Sequence, residues 1–286
     1  MTNGKTRTCG LIGNPVEHTL SPVIHNTLAE NFEHNLVYVP FRVDAEYVEE
    51  AVKGAYALNI LGCNVTVPYK SAVIPFLKDI DPMAEKIGAV NTLVRIEGGF
   101  KGYNTDLPGL YRAMVSDDVK IKGEQILILG AGGVARAAAM LMADKGAKRI
   151  VIVNRTVEKA QILAGEIQKF YPEVLFEAAG LNELSRFNEK KTYLAIQATN
   201  IGMYPNCEET LIDNPEFYEA VHTGYDMIFN PADTRFMQLV RASGGRAYNG
   251  LKMLLYQGVI AYELWNRVQV EDAQAEQIYE KMKQNG

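Results

Sequence analysis

The chain has 286 residues, 48% hydrophobic and 22% charged, with 29 basic against 34 acidic side chains and a formal charge of −5. That length carries about two domains of ~100–200 residues, and the balance excludes intrinsic disorder and argues against nucleic acid or an anionic membrane as a partner. Cys9, Cys63 and Cys207 are widely spaced without a C-x-x-C pair and the histidines are not spaced as ligands, so neither a disulfide framework nor a metal site is expected; the polar start, Met1 to Thr8, reads as no secretory signal, and the cytoplasm is the expected location.

From Arg7 onward short β-rich runs alternate with helical stretches, as in parallel βαβ units. A strand at Cys9–Ile12 precedes a helix opened by Ser21-Pro22 and running to about Glu30, then a strand at Leu36–Phe41. Ala45–Tyr56 has helical spacing with Glu46, Glu49 and Glu50 on a solvated face, and Leu61–Val67 reads as the third strand. Thr92–Ile96 and Phe100–Tyr103 flank Gly98-Gly99, a hairpin turn. Leu107–Ser116 reads as a linking helix and Lys120–Glu124 as the point where the pattern changes. A second alternation follows: strand Gln125–Leu129, helix Val134–Lys145, strand Arg149–Val153, helix Val157–Phe170, strands at Tyr193–Ala198 and Tyr225–Phe229, and a helix at Thr234–Ser243. The tail, Leu251–Val268 and Asp272–Lys283, is helical. The fold expected is α/β: an N-terminal substrate domain with a mostly parallel sheet (1–106, completed by helices in 251–286) and a C-terminal Rossmann dinucleotide-binding domain (107–250). Ile126–Ala143 is the longest apolar region, and its glycines and Arg136 break it short of the ~20 apolar residues of a membrane span.

Gly130-Ala131-Gly132-Gly133-Val134-Ala135 fits G-x-G-x-x-(G/A) directly after a strand and at the start of a helix. In that context Gly130 makes the tight turn, Gly132 admits a pyrophosphate to the backbone, and Ala135 allows close helix–strand packing. The next strand ends in Asn154-Arg155-Thr156, where an NAD site would usually carry an acidic residue. Arg155, with Lys159 one turn on, favours a 2′-phosphate, so NADP is expected.

Four polar clusters sit at strand ends of the first half: Gly13-Asn14-Pro15 through His18-Thr19-Leu20-Ser21-Pro22, Asn64 to Lys70, Gly88 to Thr92, and Gly102 to Asp106. Followed by the nucleotide fingerprint, they resemble the shikimate dehydrogenase family over nearly the whole chain. The resemblance implies a reversible NADPH-dependent reduction of 3-dehydroshikimate to shikimate, in the biosynthesis of chorismate and the aromatic amino acids. It implies Lys70 and Asp106 as the catalytic pair, and Ser21, Thr66, Asn91 and Gln257 as contacts to substrate hydroxyls and carboxylate, with Thr19 in the carboxylate pocket and Tyr225 reaching in from the cofactor domain. It also implies that Gln197 to Met203, including Thr199, Asn200, Gly202 and Met203, and the Gly250 segment line the nicotinamide. The residue types suit the chemistry: a ligand with three hydroxyls and one carboxylate calls for several small hydroxyl and amide side chains. Alcohol oxidation needs a proton acceptor and its reverse a donor, and a lysine serves both directions. The family commonly has Ser at the position of Thr19, whose added methyl bears on discrimination between shikimate and the bulkier quinate, and Tyr at that of Phe229, where only a phenol oxygen is removed; a quinate/shikimate dehydrogenase with broader substrate and NAD/NADP use is the alternative. The partner expected is the small substrate alone, and the state a monomer or a homodimer.

Overall fold

The computed structural model describes residues 2–285, and its chain divides into two compact units, Met1–Arg112 with Met253–Gly286, and Ala113–Lys252. The division falls inside two helices, α4 (Asp106–Ser116) and α9 (Leu251–Asn266).

The first unit is built on a sheet of six strands: β1 (Arg7–Gly13), β2 (Leu36–Arg42), β3 (Gly62–Val65), β4 (Asp79–Ile80), β5 (Thr92–Ile96) and β6 (Gly99–Tyr103), in the order β2-β1-β3-β5-β6-β4. β1, β2 and β3 are mutually parallel, and β5 runs against β3 and β6 as the hairpin at Gly98-Gly99 requires. Helix α1 (Ser21–Asn31) starts with Pro22 at an N-terminal position, where its missing N–H costs nothing. The acidic stretch after β2 begins as a 3-10 turn at Ala45–Tyr47 and becomes α2 (Val48–Ala57), whose Val48, Val52 and Ala55 join a core with Ile12, Val65, Val73, Leu93 and Phe100. Helix α3 (Pro82–Ile87) was not expected. Its signals were present: Asp81 caps it by accepting from Met83 N and Ala84 N, and Gly88 closes it at φ +73°. Helices α9 and α10 (Asp272–Asn285) complete the unit, and Trp265 on α9 donates its indole N–H to Leu93 O at 2.9 Å.

The second unit is a six-stranded sheet, all parallel, of β7 (Gln125–Leu129), β8 (Arg149–Val153), β9 (Leu175–Ala179), β10 (Tyr193–Gln197), β11 (Val221–Asp226) and β12 (Arg246–Tyr248). The order β12-β11-β10-β7-β8-β9 is that of a doubly wound dinucleotide fold, with the order reversing between β7 and β10. Ile126–Leu129, Ile150–Val153 and Leu194–Ile196 have no exposed side-chain surface, which is why these strands read as unbroken apolar runs. Helices α5 (Gly133–Asp144), α6 (Val157–Gln168), α7 (Pro215–Tyr218) and α8 (Arg235–Ala242) cover the sheet.

The structure corrects the sequence expectation in this sheet. The strand expected at Tyr225–Phe229 ends at Asp226, because the Asp226 carboxylate accepts from Ile228 N at 2.9 Å and Thr234 Oγ1 at 2.6 Å and turns the chain away, leaving Phe229 exposed. Strands β9 and β12 had not been expected. Both are short edge strands that each carry one charged residue, Glu177 in β9 and Arg246 in β12, β9 being held by the bidentate pair of Arg149 with Glu177 at 2.8 and 2.9 Å. No helix among the described residues is long and apolar enough to cross a membrane.

Candidate active site

In the first unit, the C-terminal ends of β1 and β3 and the start of β5 bring the polar clusters together. Lys70 follows the tight turn after β3, and its backbone oxygen accepts from Val90 N at 2.7 Å. Its Nζ donates to Asp106 Oδ2 at 2.6 Å, while Asn91 Nδ2 donates to Asp106 Oδ1 at 2.8 Å. The carboxylate therefore has one oxygen committed to each partner. Lys70 and Asp106 keep 32% and 21% of their side-chain surface, enough for a ligand to reach both, whereas Asn91 is 2% exposed and cannot swing out. Asp106 opens α4, and Asn104 Oδ1 accepts its backbone N–H at 3.1 Å.

Thr19 and Ser21 stand at the start of α1, with Thr19 Oγ1 donating to Ser21 Oγ at 3.1 Å. Burial pushes the nearby Tyr38 hydroxyl well above the usual phenol range, and Ser21 pulls it back in part. Thr66 follows β3 directly; its N–H donates to Ile12 O at 2.9 Å, and its methyl packs on Gly13. Gln257 on α9 is 8% exposed, its Nε2 donating to Leu254 O at 2.8 Å. A side chain at Gly109 would come within 2.7 Å of the Gln257 backbone, so glycine lets α9 approach the helix that begins with Asp106. Thr19, Ser21, Thr66, Lys70, Asn91, Asp106 and Gln257 thus belong to one unit. Tyr225 does not: it is fully buried at the end of β11 in the second unit, its ring 6.1 Å from that of Tyr248.

The second unit carries the glycine-rich turn at the point where the strand order reverses. Gly130, at φ +117°, follows β7, and a Cβ on it would lie 2.8 Å from the Thr199 methyl; glycine is required there by the fold itself. Gly132 is different. Its φ of −93° suits any residue, and a Cβ there would meet nothing within 4 Å. Gly132, Gly133 and Val134 are exposed, Ala131 is half-buried and Ala135 fully buried, and no side chain caps α5, so its first N–H groups face an open cradle. Such a cradle fits the pyrophosphate of a dinucleotide. At the end of β8, Asn154 Nδ2 donates to Thr156 O at 2.9 Å and shapes the turn that leaves Arg155, Thr156 and Lys159 exposed. Neither Arg155 nor Lys159 forms an ion pair among the described residues. After β10 the buried Gln197 folds the loop: its Oε1 accepts from Thr199 N and Oγ1 at 2.6 and 2.7 Å, and its Nε2 donates to Ile201 O at 3.1 Å. Asn200 and Met203 are left exposed beyond it, with Gly202 at φ +95°. Gly250 donates to Ile228 O at 2.9 Å.

Residues 11–93 match the family model described as the shikimate dehydrogenase substrate binding domain, and residues 113–194 that of shikimate / quinate 5-dehydrogenase. The chain belongs to the shikimate dehydrogenase family. A protein of Desulforamulus reducens named shikimate dehydrogenase (NADP(+)) is 42% identical over 269 residues, 92% of this chain and 91% of its own. The crystal structure of shikimate 5-dehydrogenase from Listeria monocytogenes in complex with shikimate and NAD has a TM-score of 0.89 at 30% identity over 98% of each chain. Ligand-free 5-ketofructose reductase from a Gluconobacter species has a TM-score of 0.84 at 31% identity, over 98% of this chain and 100% of its own.

Asn64 and Thr92 lie in the polar clusters with no role expected of them, and Tyr38 carries no expectation at all. All three are buried in one hydrogen-bonded network with Asn91. The signal was Asn64 itself, an amide between Cys63 and Val65 in a strand with both faces covered.

Proposed function

We propose that this shikimate dehydrogenase family member interconverts shikimate and 3-dehydroshikimate with NADP, Lys70 and Asp106 handling the proton. The observation that carries the reading is the Asn91–Asp106–Lys70 arrangement, in which a half-exposed ammonium is held 2.6 Å from a carboxylate that a buried amide has already oriented. The nicotinamide, when bound, takes or returns the hydride. In the reductive direction Lys70 Nζ donates a proton to the carbonyl oxygen, and in the oxidative direction neutral Lys70 takes it from the hydroxyl. Asp106 has spare lone pairs on both oxygens and can accept a substrate O–H while it holds Lys70. The hydroxyls of Thr19, Ser21 and Thr66 serve the substrate carboxylate, and the amides of Asn91 and Gln257 its remaining hydroxyls. In the second unit the first turn of α5 would hold the pyrophosphate, Arg155 and Lys159 the 2′-phosphate, and the Thr199–Met203 and Gly250 segments the nicotinamide. The free thiols Cys9, Cys63 and Cys207 suit a reducing cytoplasm.

Absorbance at the reduced-nicotinamide band, with shikimate or quinate and NADP or NAD in all four combinations, tests this. Rapid turnover of shikimate with NADP is expected, and silence in all four combinations would overturn the reading. The broader quinate/shikimate enzyme is favoured by one observation, the NAD bound in the Listeria relative. Comparable rates with quinate or with NAD would select it.

A further inference from the structure

Asn64 lies in the middle of the first sheet, 4% exposed. A buried amide must satisfy donors and acceptors together. Its Nδ2 donates to the Asn91 backbone oxygen at 3.3 Å and to Thr92 Oγ1 at 3.1 Å. A carbonyl only accepts, so the amide nitrogen is fixed on that side and its oxygen faces Tyr38 and His25. Tyr38 O–H donates to Oδ1 at 2.9 Å, and His25 Nε2 lies 3.1 Å from it. His25 therefore carries its proton on Nε2, in a fully buried site that pushes its pKa down to about 3 and keeps it neutral.

Thr92 carries this order onward. It is fully buried, receives the Asn64 N–H, and has one proton to give, to Asn91 Oδ1 at 3.0 Å or through Thr105 Oγ1, which lies 3.1 Å from both. In each arrangement the hydroxyl protons end on Asn91 Oδ1, beside the Thr105 backbone N–H at 2.8 Å. With its oxygen occupied in this way, Asn91 presents its amino group to Asp106. The sequence of donors runs one way, from Tyr38 and His25 through Asn64, Thr92 and Asn91 to the carboxylate that holds Lys70.

We propose that Thr92 is a positioning residue for the reaction: its hydroxyl locks the Asn91 amide, and through it Asp106 and Lys70, in the orientation that proton transfer needs. With no exposed surface, Thr92 acts only through its neighbours. The proposal rests on the reading of Lys70 and Asp106 as the proton-handling pair.

Thr92→Val keeps the shape and removes the hydroxyl, and Thr92→Ser keeps the hydroxyl. On whichever substrate and nicotinamide the wild type turns over, T92V is expected to lose roughly tenfold in kcat with KM changed less than about twofold, through misplacement of the proton-transfer pair. Its solvent deuterium isotope effect on kcat should rise, and T92S should restore both values. A merely structural defect would lower the active fraction and leave the isotope effect where it was. In the free protein, NMR of the Asn91 side-chain amide should show faster exchange in T92V than in wild type or T92S. Unchanged kcat and isotope effect, an Asn91 amide identical to wild type, or no restoration by Ser would each overturn the proposal. If T92V does not fold, Tyr38→Phe is read in the same way; it removes one donor to Asn64, keeps the ring stacked on His25 at 4.2 Å, and should cost roughly threefold in kcat. A wild type silent on shikimate with NADP would sink the functional reading instead, and the NMR comparison would still decide the role of Thr92.

Discussion

At the strand ends of the first unit, side chains hold one another: Lys70 to Asp106, Asp106 to Asn91, Asn91 to Thr92 and Thr105, Thr92 to Asn64. At the corresponding place in the second unit, the backbone carries the site through Gly130 at φ +117°, the uncapped start of α5 and a loop folded around Gln197. On the proposed function, the difference follows from what each has to recognise. A ring bearing several neutral hydroxyls needs oriented side-chain donors and acceptors, which only a satisfied network can hold. A pyrophosphate needs N–H groups in a row and room to approach, which a glycine turn and a helix start supply. Substitutions should therefore act differently in the two units, on turnover in the first and on nicotinamide affinity in the second.

The largest effect is expected at Lys70. Lys70→Ala should lower kcat by about 10²–10⁴, the usual worth of a positioned acid or base, without weakening NADP. Near-normal turnover would remove Lys70 from its role. Next comes Arg155→Ser, expected to lower the preference for NADP over NAD by roughly 10- to 100-fold by removing charge-assisted bonds to a phosphate. A ratio of kcat/KM values that does not move would place the 2′-phosphate elsewhere. Third, the two glycines separate fold from ligand. Gly130→Ala should cost stability, about 1–3 kcal/mol from the positive φ and the contact with Thr199. Gly132→Ala should cost no more than about 1 kcal/mol through the helix cap, yet weaken nicotinamide binding about tenfold, since its Cβ would enter the open space in which we propose the pyrophosphate sits. Calorimetry with NADP titration reads both. Unaltered affinity in Gly132→Ala would show that the cradle is not the phosphate site.

The two units also differed in how far they could be read from the sequence. The glycine spacing of Gly130 to Ala135 is a local pattern set between an apolar strand and an apolar helix, so the turn, its place after β7 and the positive tip at Arg155 were all visible. The first unit showed which residue types gather at strand ends, but not their order, because Asn64 meets Tyr38 and His25 across three different elements. No spacing rule encodes such a contact. The resemblance supplied Lys70, Asp106 and Asn91 as roles; the physical reason why Asn91 points its nitrogen at Asp106 appears only once Thr92 and Thr105 are seen on its oxygen. Edge strands β9 and β12 escaped for another reason: half-exposed strands with charged residues lack the apolar run by which their neighbours were found.

The smallest effect concerns one buried titratable group in each unit, and there the two should oppose each other. Burial of His25 lowers its pKa from 6.5 to about 3, so the folded first unit binds less proton than the unfolded chain over that range. Its contribution to stability is complete above pH 6.5 and is lost as pH falls toward 3, at up to about 1.4 kcal/mol per pH unit. Burial of Asp226 raises its pKa from 3.8 to about 6 against the opposing bonds from Thr234 and Ile228. That contribution is complete below pH 3.8 and lost as pH rises through 6, so acidification from 6 to 4 strengthens the second unit while it weakens the first. Asp226→Asn tests the balance with little disturbance, because an amide can accept from Ile228 N–H and donate to Thr234 Oγ1 in place of the carboxylate's two bonds. In denaturant unfolding at pH 7, 6, 5 and 4, this variant should equal or exceed the wild type at pH 7 and lose stability more steeply on acidification. A pH profile parallel to that of the wild type would mean that Asp226 does not titrate in this range, and the compensation between the units would be gone.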